Sequence, residues 1–109
     1  MSTSVYRHAT LRQHLARILV EGLDPARATA TPPLVWLHTP VQTPWAVLHV
    51  VRRHRVALTD VILLDVQVPR QWLQHAERGL WTCDRMIAPA RLSVGASGYD
   101  VAASPIRDA

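Results

Sequence analysis

The chain contains no lysine, no phenylalanine and no asparagine, and it has a single cysteine among its 109 residues. A lone Cys83 excludes an intrachain disulfide framework and any cysteine-rich zinc module. The four glycines are scattered, which excludes a glycine-rich phosphate loop. No apolar run approaches the roughly 20 residues that span a bilayer. Met1 to Arg7 lack the basic start and apolar stretch of a secretion signal, so the expectation is a cytoplasmic protein without a membrane partner. Because lysine is absent, all 12 basic residues are arginine, set against 8 acids for a formal charge of +4. These absences, with abundant Ala, Val, Leu, Arg and Pro, fit the codon bias of a GC-rich genome. The places where arginines cluster therefore say more about partners than the total does.

What is present is the material of one folded domain. Hydrophobic residues make up 49% and charged residues 18%, which excludes a disordered body, and the length suits one modest core. Residues 1–94 read as a single globular domain, and 95–109 as a flexible tail or an edge strand at most. Ser4 to Ala9 reads as a strand, and Thr10 as the N-cap of a helix whose stripe is Leu11, Leu15, Ile18 and Leu19, closed by Gly22. Leu34 to His38 is a compact apolar strand. Thr43-Pro44 opens a second helix, with Trp45, Leu48 and Val51 on its apolar face and His49, Arg52 and Arg53 on the other. Val61 to Val68 is the strongest strand, continuous at first and alternating at its end, and Pro69 stops it. Arg70 to Arg78 reads as a short helix burying Trp72, Leu73 and Ala76. Leu80 to Cys83 reads as a strand, and Met86 to Leu92 as a turn into a last one. The order predicts an α+β domain with a small mixed or antiparallel sheet and two to three helices.

Few residues announce chemistry by spacing alone. Paired cysteines and His-x-x-x-His are absent, so no metal site is expected, and Cys83 on an apolar strand reads as inert packing. Arg52-Arg53-His54-Arg55 is the densest basic cluster. It reads either as a solvated helix end favoured by the helix dipole or as a phosphate contact. Asp84-Arg85 reads as a turn or surface pair.

The order of the pieces carries a resemblance. Val5-Tyr6-Arg7-His8-Ala9-Thr10, a helix ending Ile18-Leu19-Val20-Glu21-Gly22-Leu23, and the strand Val35-Trp36-Leu37-His38 resemble the opening of ADP-ribosyltransferase-like domains. Those commonly begin with a Tyr-His-x-Thr strand, a helix ending Ile-x-x-x-Gly-Leu, and a second strand flanking the nicotinamide pocket. The rear half, Val61 to Pro69, Gly79-Leu80-Trp81-Thr82 and Ile87-Ala88-Pro89-Ala90-Arg91-Leu92, is similar to the endings of tRNA 2′-phosphotransferases and DNA-modifying toxins of this fold. The match spans about residues 5 to 94.

The resemblance implies NAD as substrate and a site on the first two strands. A basic or His side chain on the first strand would bond the nicotinamide end. Arg7 and His8 hold that place on opposite faces, so only one can face the pocket, and His8 is preferred. Trp36 or His38, with Thr39 beside them, would supply the ring that stacks on nicotinamide, although Trp36 in an apolar strand also reads as core. The family's glutamate is missing, and Asp84 is the nearest acid to take its catalytic place. The phosphotransferase branch instead holds phosphate with basic side chains, a task for Arg85 and Arg91 here. The alternatives are a non-enzymatic module using Arg52, Arg53 and Arg55 on nucleic acid or an acidic protein, and an edge strand that pairs with another chain. The oligomeric state stays open.

Overall fold

A computed structural model describes residues 3–28 and 31–94. The tail reading of 95–109 lies outside the described residues. Among the described residues are six strands and two α-helices: β1 (Thr3–Leu11), α1 (Leu15–Glu21), β2 (Val35–His38), α2 (Thr43–His54), β3 (Val61–Pro69), β4 (Leu73–Glu77), β5 (Leu80–Cys83) and β6 (Leu92–Val94). The strands form one sheet in the order β4-β5-β2-β1-β3-β6, and every pairing is antiparallel. The architecture is α+β. No helix among these residues is long and apolar enough to cross a membrane.

The sheet separates two cores. Tyr6, Leu37, Leu64, Val66, Val68, Cys83 and Ile87 pack on the side of α1, while Leu11, Val47, Val50, Val61 and Leu63 pack beneath α2. β3 explains its own sequence pattern. Ile62, Leu64, Val66 and Val68 are buried on one face, and α2 covers only Val61 and Leu63 on the other. Beyond the cover of α2, that second face carries Asp65 and the exposed Gln67, which is why the run turns from continuous to alternating.

Three local expectations are corrected. Thr10 is not a helix cap. β1 runs on through Leu11, which pairs with Val61 and is buried in the α2-side core, and a 3-10 turn at Arg12–His14 precedes α1. The helical stripe therefore begins at Leu15, and Leu19 is exposed.

The buried face of α2 is Thr43, Ala46, Val47 and Val50, with Leu48 and Val51 at its flanks. Small side chains let the helix lie close on β1 and β3, and Trp45 is turned outward. The segment Arg70–Arg78 is a 3-10 turn followed by β4, not a helix. Its backbone pairs with β5, Leu73 opposite Cys83 and His75 opposite Trp81, and this non-local ladder overrides weak helical propensity. Ala76 is exposed rather than buried. Gly79, at φ 72°, makes the connecting turn.

Candidate functional site

A cleft of about 430 Å³ opens between α2 and the first two strands, lined among others by His8, Trp36, His38, Trp45, His49 and Arg53. Its position follows from strand pairing. β1 and β2 share one paired position, Arg7 opposite His38, beyond which their ladder does not continue. His8 bridges the gap, with Nδ1 2.8 Å from the Trp36 carbonyl oxygen. A carbonyl can only accept, so Nδ1 carries the proton and donates, and Nε2 is left with its lone pair.

His38 is 3% exposed, and its Nε2 has no hydrogen-bond partner. Burial, and then the charges of His8 and Arg7, lower its pKa to about 4. Burial also lowers the pKa of His8, against the opposing effect of the Trp36 carbonyl. Both imidazoles are therefore neutral near pH 7.

The walls are flat and aromatic. Trp36 is 46% exposed and Trp45 48%, so neither indole is spent in the core. Trp45 stacks on His49 one helical turn later, with centroids 5.3 Å apart and planes 12° from parallel. A second groove, lined by Trp45, Leu48, His49, Arg52 and Arg53, shares three of its residues with the cleft. Among the described residues, no carboxylate lines the cleft.

The residues singled out from the sequence are thus divided. His8, Trp36 and His38 share the cleft, with Arg53 from the basic cluster. Arg7 does not line it. That guanidinium lies 3.6 Å from the Asp65 carboxylate, its partner across the β1–β3 ladder, and donates to Thr43 Oγ1 at 3.1 Å. Thr39 donates its backbone N–H to the Gly79 carbonyl at the hairpin turn and is not part of the lining. Asp84 is exposed just after β5, outside the cleft, and Arg85 lies over the Trp72 ring. Arg52 and Arg55 are exposed at the end of α2.

Sequence reading missed Trp45 and His49 as site residues. Their i, i+4 spacing is visible in the sequence, but the apolar stripe Trp45, Leu48 and Val51 assigns Trp45 to the core face. Cys83 is fully buried, which raises its thiol pKa, and it is not a nucleophile available to the cleft. No group of three or more His, Cys, Asp or Glu that could hold a metal ion occurs among the described residues. Comparison with protein-family models, curated proteins and solved structures found no match to the chain.

Proposed function

We propose that this is a nucleotide-binding domain of the ADP-ribosyltransferase-like kind, which takes NAD or a close relative in the cleft between β1, β2 and α2. The observation that carries the reading is that His8, Trp36 and His38, drawn from two strands far apart in sequence, line one cleft. A half-exposed indole offers a face for a planar heterocycle. The unpartnered Nε2 of buried His38 is a polar group that a carboxamide or ribose hydroxyl would satisfy, so the lining fits such a ligand. Arg53 at the mouth supplies charge for phosphate.

The chemistry within this reading departs from the carboxylate-assisted pattern. With no acid among the described lining residues, a positively charged transition state would lack its usual electrostatic partner. The groups on hand are basic or neutral. His8 Nε2 can accept a proton, and Arg53 can hold a phosphoryl oxygen. Phosphate-directed transfer, as in the phosphotransferase branch, suits this set better than carboxylate-assisted transfer of ADP-ribose.

The test is a calorimetric titration with NAD, supported by quenching of tryptophan fluorescence. Binding that weakens at least about tenfold in His8→Ala and Trp36→Ala, with unfolding midpoints retained, supports the reading; tenfold corresponds to about 1.4 kcal/mol. Absence of binding up to millimolar NAD overturns it.

A further inference from the structure

We infer that the arginine–tryptophan patch around the Arg70–Trp72 turn binds single-stranded nucleic acid, at a site separate from the cleft. Trp72 and Trp81 pack against the α1-side core, while the cleft lies under α2. Arg85 and Arg91 both stand over the Trp72 ring, with guanidinium carbons 4.7 and 4.5 Å from its centroid. Arg70, on the same turn as Trp72, stands 5.0 Å from the centroid of Trp81. His75 meets Trp81 edge-on at 4.8 Å.

A guanidinium held over an indole face still has N–H donors to offer to a further partner. Arg91 uses one N–H on the Gln67 carbonyl. Among the described residues, none of Arg70, Arg85 and Arg91 lies within ion-pair distance of a carboxylate. Two like charges thus converge on one indole with no ion-pair partner among the described residues, an arrangement that an oxyanion between them would relieve.

A strand of phosphodiesters fits better than an isolated phosphate. Three arginines stand over two indoles, and Arg70, which stands over Trp81, shares a turn with Trp72, so more than one phosphate can be met. Arginine guanidiniums and tryptophan indoles are the groups on which unpaired bases stack. The Arg52–Arg55 cluster is a weaker candidate, because the end of a helix favours cations for its own reasons.

The experiment is fluorescence anisotropy with a labelled single-stranded oligonucleotide across a salt series, on the full chain. Two lost phosphate contacts should lower the log–log salt slope by about 1.4, at about 0.7 per contact on single strands. The slope should fall by that amount in Arg85→Ala/Arg91→Ala and by about 0.7 in Arg70→Ala. It should stay unchanged in Arg52→Ala/Arg53→Ala/Arg55→Ala. Arg85→Lys/Arg91→Lys should keep the slope and lose affinity, because lysine retains charge but neither stacks nor offers a planar face. Urea midpoints check that each variant is folded, and NAD titration of the Arg70, Arg85 and Arg91 variants should be unaffected. An unchanged slope in Arg85→Ala/Arg91→Ala overturns the inference. So would equal affinity for duplex, for inorganic phosphate, or for vesicles of anionic lipid.

Discussion

The buried imidazole of His38 makes folding stability depend on pH in a defined window. In the unfolded chain a histidine titrates near 6.5, whereas in the fold burial and the neighbouring His8 and Arg7 lower His38 to about 4. Between those values the unfolded state binds the proton and the folded state does not. Stability is therefore fully present above pH 6.5 and is lost as pH falls toward 4, below which the loss saturates.

At about 1.4 kcal/mol per decade of proton affinity, the whole window corresponds to about 3 kcal/mol, of which about 2 kcal/mol is lost by pH 5. Almost no solvent reaches the ring, so screening does little to reduce this. Such a loss is a large part of the stability of a small domain. His8 acts in the same direction, because its pKa is also lowered.

The assay is urea unfolding at intervals from pH 7.5 to 4, on the wild type and on His38→Leu. The variant replaces the imidazole with an apolar group of similar volume. Because His38 Nε2 is already unpartnered, the change should cost little near neutrality. Its stability should then fall less steeply on acidification, with the remaining slope traced to His8. Parallel curves for the two proteins, or a wild type flat from pH 7 to 5, would refute the reasoning.

Two further predictions concern backbone positions. Arg55 ends α2 with φ 54° and ψ 50°, a left-handed conformation that suits glycine, so Arg55→Gly should raise stability by about 0.5–1 kcal/mol in chemical denaturation. Gly22, at φ 90°, closes α1 where a Cβ would strike the backbone carbonyl oxygen of Ile87, the residue bridged to Leu23. Gly22→Ala should destabilise by at least about 2 kcal/mol, and by more than Gly79→Ala, where the obstruction is the flexible Gln42 side chain.

Reading residues in order succeeds where the signal is local. β2, β3 and β5 announce themselves as apolar runs bounded by proline, glycine or charge, and Gly22 marks the end of α1 because only its backbone freedom suits that stop. The choice between Arg7 and His8 is half answered by strand period: the two side chains must diverge, and His8 is the one that lines the cleft. Asp84 is where local reading misleads. Proximity to a strand end makes it a candidate acid, yet nothing local says that the chain leaves β5 outside the cleft.

Composition and periodicity by themselves point to an α+β chain and to a strand, β3, that is buried on both faces at first and on one later, while His8, Trp36 and His38 are picked out only by the family resemblance. Only the tertiary structure decided the fate of Arg70–Arg78, because its ladder to β5 depends on a partner strand rather than on its own propensities. It also decided which face of α2 is buried. A stripe through Trp45 and a stripe through Val47 are both apolar, and the one with smaller side chains fits against the sheet. That rotation turns Trp45 and His49 toward the cleft, and the ending of the β1–β2 ladder after a single pair leaves His8 to bridge the strands. A cleft is a relation between segments distant in the chain, and its lining depends on packing that no single stretch of sequence contains.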